Sequence, residues 1–175
     1  MTEGDVYIQL IPDYAEVIVR VARGLTDEEW EWQWVEYCPS ARMVAEHTWM
    51  WLRCDRQQIE LLDIADHQPM IPPEGRLAMA ETLHQEAEAW RRLIKGLTPE
   101  RLDETSLAFG QEPRTVRGFI AHMINQVVYK TGQISMIVFA LGKDGKEPYT
   151  APNPNEIYEF EEGRDWPKRA PRRAE

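Results

Sequence analysis

The chain has 175 residues, of which 43% are hydrophobic, enough for one packed domain that needs no disulfide or metal to hold its core. No stretch approaches the ~20 consecutive apolar residues of a membrane span, so we expect a soluble protein without a membrane partner. Twenty Lys and Arg against 30 Asp and Glu give a net charge of −10, and such an acidic chain is expected to repel nucleic acid.

The charge is divided unevenly along the chain. Residues 164–175 carry a net charge of +3 and the rest of the chain carries −13. We interpret the basic end as a solvated C-terminus or as a contact with the acidic body of the same chain. Glu3 and Asp5 stand where a secretory signal would carry basic residues, which predicts a cytoplasmic protein with Cys38 and Cys54 as reduced thiols.

The first predicted helix covers about residues 5–24. Its apolar residues recur every three or four positions and form one face: Ile8, Ile11, Tyr14, Ala15, Ile18 and Val21. Gly24 closes this helix. Thr26 and Glu29 then fit a capping box at the start of a short helical turn.

A tryptophan-rich segment leads into the second predicted helix. Trp30, Trp32 and Trp34 recur with period two, which predicts an extended stretch and is the only strand signal in the sequence. Ser40 is the expected N-cap of the second helix, which continues to about Asp63. Its apolar stripe consists of Val44, Thr48, Trp51, Leu52, Ile59 and Leu62.

Two more helices follow a loop. Residues 65–76 contain three prolines and a glycine and are predicted to form the loop. The third helix is expected from Leu77 to Gly96, and Thr98-Pro99 begins another short turn. The fourth helix is expected over about 115–141, before Gly142.

These elements predict an all-α fold. Four long helices over residues 1–142 make a bundle in which each helix buries its apolar stripe. Residues 143–175 are rich in proline, and we expect an extended tail that packs on the bundle or on a partner subunit. The residues expected to anchor this tail are Tyr149, Ile157, Tyr158, Phe160 and Trp166.

A weak internal repeat appears at an offset of 75 residues. Residues 42–47 align with 117–122, and each block ends in a histidine. Each block also follows a helix cap, Ser40 or Thr115, and further back a Leu-Thr-x-Glu turn. The agreement suggests two helix pairs related by a pseudo-two-fold axis, with both histidines near the starts of their helices.

The fourth helix carries the clearest signal for a site. It is apolar around most of its circumference, which predicts burial, yet His122, Gln126, Lys130 and Gln133 form a polar ridge on it. Buried polar groups need partners or a water-filled cleft. The ridge therefore indicates either a small-molecule cleft or an ordinary interhelical hydrogen-bond network or solvent-facing stripe.

Three residues of the second helix are ambiguous. His47 lies among tryptophans, and it is either a core histidine or a ligand. Asp55 follows two turns later and is a candidate counter-charge for a buried Lys130. Cys54 has no basic neighbour one turn away and is interpreted as a small buried apolar residue rather than a nucleophile.

The segments 38–47 and 122–134, with Leu141-Gly142 after them, resemble the DinB/YfiT-like superfamily over about residues 5–142. The resemblance implies an up-down-down-up four-helix bundle, often a homodimer, with a divalent metal held by three histidines in a cleft. It also implies relatives that act as metal-dependent hydrolases or that use low-molecular-weight thiols as S-transferases or isomerases.

The chain departs from the pattern that this resemblance implies. His47 occupies the first ligand position, but Gln126 and Lys130 occupy the other two, and His122 falls where the family commonly has a histidine that is not a ligand. Glutamine is a poor ligand for zinc or nickel, and a protonated lysine repels a dication. We therefore expect no tightly bound cofactor, and a cleft that suits an anionic small molecule.

Two function classes remain open at this point, so whether the chain is an enzyme is undecided. One is a non-catalytic small-molecule binding protein with a degenerate metal site between the second and fourth helices. The other is a metal-dependent thiol S-transferase or hydrolase that works through altered ligands. In both classes, the expected cleft residues are His47, Trp51, Asp55, His122, Gln126 and Lys130. His47 is the family metal-ligand position that the chain retains. Trp30, Trp32 and Trp34 are expected at the cleft entrance, or alternatively in the core or in a dimer contact.

Overall fold

The structure is a computed structural model that describes residues 2–61, 66–107 and 113–143. Within these residues the regular secondary structure is mostly helical, as the sequence predicts, and includes one short hairpin. The long helices are α2 (Tyr14–Gly24), α4 (Ala41–Glu60), α5 (Arg76–Gly96) and α7 (Val116–Ala140), and the short ones are α1 (Glu3–Ile8), α3 (Asp27–Glu31) and α6 (Pro99–Asp103).

The first predicted helix is continuous but not uniform. A π-helical turn, Gln9–Asp13, joins α1 to α2 and contains Pro12. Proline lacks the N–H that an α-helical interior requires, and a widened turn accommodates it. The helix also begins earlier than predicted, because Thr2 and Asp5 form a capping box.

The predicted extended tryptophan stretch is wrong at its first residue. Thr26 and Glu29 form the expected capping box, but the helix it starts, α3, includes Trp30, which is buried. Trp32 is the C-cap of α3 and Trp34 lies beyond it. The period-two pattern failed here because the helix cap decides the local structure.

The prediction of no strand outside that stretch is also wrong. Strands β1 (Thr105–Leu107) and β2 (Pro113–Thr115) pair antiparallel, with Thr105 opposite Thr115. Each strand has three residues, which is too short for an alternating pattern to emerge in the sequence. The hairpin positions Arg114 just before α7.

The caps of the internal repeat match in structure. Ser40 and Thr115 each accept a hydrogen bond from the third residue of the following helix, at α4 and at α7. Each Leu-Thr-x-Glu turn begins a helix of five residues. His47 and His122 are therefore both the seventh residue of a long helix.

Helices α4 and α5 run parallel to each other. Arg42 at the start of α4 and Arg76 at the start of α5 both form ion pairs with α3. At the opposite end, Arg101 after α5 donates to the backbone carbonyl of Ile59 in α4. The chain between these helices must therefore return along α4, and the backbone N–H of Gln68 donates to the side chain of Gln57 on the way.

Helix α7 completes an up-down-down-up bundle. It runs parallel to the first helix, since Arg117 pairs with Glu3 and Thr131 donates to the backbone carbonyl of Tyr14. It runs antiparallel to α4, since its early residue His122 contacts the late α4 residue Asp55. The fold expected from the resemblance is thus confirmed.

The core lies between the four long helices and includes buried side chains from each of them, such as Ile18, Leu52, Leu83 and Ile134. The prediction that α7 is buried except along its polar ridge is wrong on one face. That face is apolar and yet exposed in the single chain, at Val128, Tyr129, Met136 and Phe139. Helical periodicity shows which residues share a face but does not show what covers it.

Several predictions concern residues that the structure does not describe. The predicted end of the second helix near Leu62 and Asp63 lies outside the described residues, and so does the predicted tail from residue 144 onward. The first residue of the predicted tail, Lys143, is described and forms an ion pair of 2.8 Å with Glu29. Among the described helices none combines the length and apolar character that crossing a bilayer requires.

Candidate functional site

The predicted site residues lie where α4 packs against α7. At the centre, Asp55 of α4 is buried and its carboxylate lies 2.6 Å from Nδ1 of His122 on α7. When His122 is neutral, this nitrogen donates to the carboxylate and Nε2 is an acceptor. The pair spans the helix interface and fixes the orientation of the imidazole.

Burial controls the charge of Asp55. Removal from water raises the pKa of Asp55, while the hydrogen bond from His122 and the nearby charges of His122 and Arg114 act in the opposite direction. Arg114 belongs to the hairpin that the sequence analysis missed. Its contribution was therefore not predictable from the helix pattern.

Trp51 lies between the two histidines of the site. Its ring packs edge-on against His122, at 5.0 Å between centroids, and against His47, at 6.0 Å. Its indole Nε1–H donates to Nε2 of His47 at 3.0 Å. Because residues four apart share a helix face, this contact follows from the spacing within α4.

His47 is held in its neutral form. With Nε2 accepting from Trp51, its proton resides on Nδ1, which is buried and has no hydrogen-bond partner among the described residues. Burial lowers the pKa of His47, and the positive charge of Lys130 lowers it further. Since the charge of Lys130 acts on His47, the two residues lie near each other where α4 packs against α7. We call this region the α4–α7 cleft.

Lys130 is half-buried and has no acidic partner in the described part of the chain. Its ammonium donates to Oε1 of Gln133 at 2.9 Å and lies 5.2 Å from the ring centre of Tyr129. Burial lowers the pKa of Lys130. The prediction that Asp55 is the counter-charge of Lys130 is therefore wrong, because the Asp55 carboxylate is hydrogen-bonded to His122 instead.

The last predicted site residue, Gln126, connects to His122. Its amide nitrogen lies 3.4 Å from Nε2 of His122, which is free to accept. The polar ridge of α7 is thus half-buried throughout, and its residues contact both one another and α4. These contacts support the hydrogen-bond network interpretation of the ridge, and the small-molecule cleft stays a prediction.

Two cavities adjoin this region. One, of about 290 Å³, lies on the outer side of α4 and is lined by His47, Met50, Met70 and Pro72 among others. The other, of about 170 Å³, is lined by Trp32, Trp34, Gln133 and Met136 among others. The sequence suggested tryptophans at a cleft entrance, and two of the three line a cavity while Trp30 belongs to the core.

Cys54 takes no part in this arrangement. It is buried on α4, and burial together with the neighbouring charge of Asp55 raises the pKa of its thiol to about 12. A thiol with such a pKa is almost wholly protonated at neutral pH and is a poor nucleophile. The prediction that Cys54 is a small buried residue is confirmed.

Among the described residues, no three His, Cys, Asp or Glu side chains lie close enough together to hold a metal ion. The histidine and acidic side chains near the cleft are His47, Asp55 and His122, and Asp55 and His122 bind each other. The sequence analysis missed two contributors. Gln133 was noted on the ridge without a site role, and Arg114 gave no signal because its role depends on the hairpin.

No protein-family model matches the sequence, and no curated protein matches it. Among solved structures, the chain is similar to the crystal structure of a DinB-like protein, YjoA, from Bacillus subtilis. The TM-score is 0.67 at 16% sequence identity, and the match covers 84% of this chain and 99% of that one. At this identity the likeness shows a shared fold, so the chain has a DinB-like fold.

The first prediction concerns the effect of the Lys130 charge on the pKa of His47. Lys130→Met removes the positive charge that opposes protonation of His47, so the pKa of His47 should rise. An NMR titration of the His47 ring measures it. The thermal midpoint should change little, because no acidic group among the described residues pairs with Lys130 and would lose its partner.

Lys95→Met is the matched control, since Lys95 is an exposed lysine on α5. It should leave the titration of His47 unchanged. An unchanged His47 pKa in Lys130→Met would show that the two residues do not share a cleft, and a large loss of stability would show that Lys130 has a buried acidic partner.

Proposed function

We propose that this protein binds a small anion in the α4–α7 cleft without a metal ion, as a DinB-like protein whose metal site is degenerate. The observation that carries the proposal is the state of Lys130. Its ammonium is partly desolvated, is held by the neutral Gln133 and has no acidic partner in the described residues. A charge in this state gains most from an anion that enters from solvent.

The donor chemistry argues against the three-histidine metal centre that the resemblance implies. Of the three positions, Gln126 offers an amide and Lys130 a cation, and neither is a good ligand for zinc or nickel. The remaining ligand, His47, uses Nε2 to accept from Trp51 and buries Nδ1. The residues present do not fit the metal, so no step of the proposed function passes through one.

The neutral His47 supports an anionic ligand in a second way. Its pKa is lowered by burial and by the same charge of Lys130 that an anion would neutralise. Binding of an anion therefore favours protonation of His47, so the site takes up a proton together with the ligand. This makes His47 the expected proton carrier of the cleft.

A second candidate is an enzyme, and one observation favours it. His122 is oriented by the buried Asp55 carboxylate and keeps Nε2 as an acceptor, which is the arrangement of a general base. Such a base would act on a substrate that is anionic at the Lys130 end and long enough to extend about two helical turns along α7 to His122. The thiol S-transferase or hydrolase of the family type, by contrast, requires a metal that the donor set does not fit.

We also propose that the protein is a cytoplasmic homodimer formed through the exposed face of α7. Val128 and Tyr129 on this face expose 41% and 61% of their surface. An apolar helix face of this kind gains free energy when a second copy covers it. In the cytoplasm the two free cysteines, Cys38 and Cys54, stay reduced.

The side chains at the three family ligand positions, His47, Gln126 and Lys130, predict a low metal content. Protein purified without a histidine tag should contain well under one equivalent of zinc, nickel or iron per chain by elemental analysis. Gln126→His with Lys130→His should bind zinc only weakly, and adding Trp51→Phe should strengthen binding because it frees Nε2 of His47.

The pair Ala121→His with Asn125→His is the control, since it places two histidines at the same spacing on exposed positions of the same helix. It should bind no more zinc than an isolated histidine pair. Stoichiometric metal in the unaltered protein would contradict the degenerate site.

Anion binding is tested with acetate and inorganic phosphate. Each should shift the NMR signals of the His47 ring and raise its pKa, with dissociation constants in the millimolar range. Lys130→Met should abolish the shifts, whereas Lys95→Met should keep them. Equal shifts in both variants would contradict binding at Lys130.

The dimer is tested at Gly132, which lies in the middle of the exposed α7 face. A Cβ at this position meets no atom within 4 Å, so Gly132→Arg fits the folded chain. Light scattering should report twice the chain mass of 20.5 kDa for the unaltered protein and a single chain for Gly132→Arg. Gly96→Arg, at an equally open position on α5, should stay dimeric. A monomeric unaltered protein would refute the proposal.

A further inference from the structure

The cavity of about 170 Å³ next to the α4–α7 cleft, which we call the tryptophan pocket, adds a second recognition element. Its walls are formed by Trp32, Trp34, Cys38 and Pro39 from the segment after α3, and by Met136 and Ile137 from α7, of which Met136 also belongs to the exposed α7 face. The polar residue that lines it is Gln133. A pocket with walls of this kind favours an apolar group over water.

Gln133 connects the tryptophan pocket to the charge of the cleft. Its Oε1 accepts from the Lys130 ammonium at 2.9 Å, and its Nε2 donates to the hydroxyl of Tyr129 at 3.1 Å. Lys130 does not itself line the pocket, but its ammonium is hydrogen-bonded to Gln133, which does. A ligand that fills the pocket reaches this positive charge by extending past Gln133, and the charge has only a neutral partner in the described residues.

The volume of the pocket limits the size of the ligand. A protein cavity of about 150 Å³ lined by apolar side chains accommodates benzene. The tryptophan pocket is of similar size, so it has room for one six-membered ring or a branched chain of about as many carbons. A folded peptide segment or a large cofactor is too big for it.

We infer that the ligand of this protein is a small carboxylate with one aromatic ring or an equally small apolar body. The apolar body fills the tryptophan pocket, and the carboxylate replaces Gln133 as the partner of Lys130. This inference rests on the proposed anion binding at Lys130 and adds the class of the ligand. The two indole rings pack against the ring of the ligand, and the charge of Lys130 selects the acid over its neutral amide.

Three probes separate the two recognition elements. Acetate carries the charge alone, phenylacetamide carries the ring alone, and phenylacetate carries both. Titration calorimetry should show phenylacetate binding about tenfold to a hundredfold more tightly than acetate, since burial of one ring adds to the ion pair. Phenylacetamide should bind at least tenfold more weakly than phenylacetate.

Variants place the binding in the structure. Trp34→Ala should weaken phenylacetate about tenfold and leave acetate unchanged, because it removes a wall of the pocket and no charge. The variant should fold, since 61% of the Trp34 surface is exposed. Tyr37→Ala is the matched control, since Tyr37 is on the same segment, is 92% exposed and does not line the pocket. Lys130→Met should remove the preference for the acid over the amide.

The outcomes distinguish this inference from the proposed function. If acetate binds at Lys130 and phenylacetate binds no more tightly, the inference fails and the proposed function stands. If neither anion binds, both fail. If phenylacetamide binds as tightly as phenylacetate, the pocket recognises apolar ligands without regard to charge and the inference is overturned.

Discussion

The buried carboxylate of Asp55 is the constraint on which the site depends. A carboxylate that loses its water needs a strong hydrogen-bond donor, and His122 on the facing helix supplies it at 2.6 Å. This contact joins α7 to α4 and orients the His122 ring, while the register of the two helices also depends on their buried apolar side chains. Trp51 then fits between His122 and His47, and the indole N–H determines which nitrogen of His47 carries the proton. One interhelical contact therefore sets the chemistry of three aromatic side chains.

The cleft differs along its length in how well its polar groups are satisfied. At the Asp55 end, the carboxylate, the imidazole of His122 and the amide of Gln126 form a closed chain of contacts. At the other end, Lys130 has only neutral partners in the described residues and the Nδ1 of His47 has none there. Since buried polar groups are normally paired, the second end is where a ligand gains most from binding.

In the proposed function, the DinB-like bundle carries a positive charge at a position where the family resemblance implies a metal ligand. A histidine at position 130 would coordinate a metal cation through a nitrogen lone pair, whereas the ammonium of Lys130 would form an ion pair with an anion. The geometry of the helices is compatible with either because the side chains at 47, 126 and 130 project from rigid helices rather than from loops. The fold therefore positions the groups, and the residue types decide the sign of the charge they accept.

The four long helices, the caps at Thr26, Ser40, Thr98 and Thr115, and the polar ridge were predictable from the sequence, because helical periodicity and capping are local properties of neighbouring residues. The segments around His47 and His122 also indicated the DinB-like topology. Three features became visible in the folded chain alone: Asp55 pairs with His122 rather than with Lys130, an apolar face of α7 is exposed, and Arg114 acts on Asp55 from a hairpin. The reason is that these contacts join residues far apart in the chain, and their partners follow from the relative rotation of packed helices, which no spacing within one helix records.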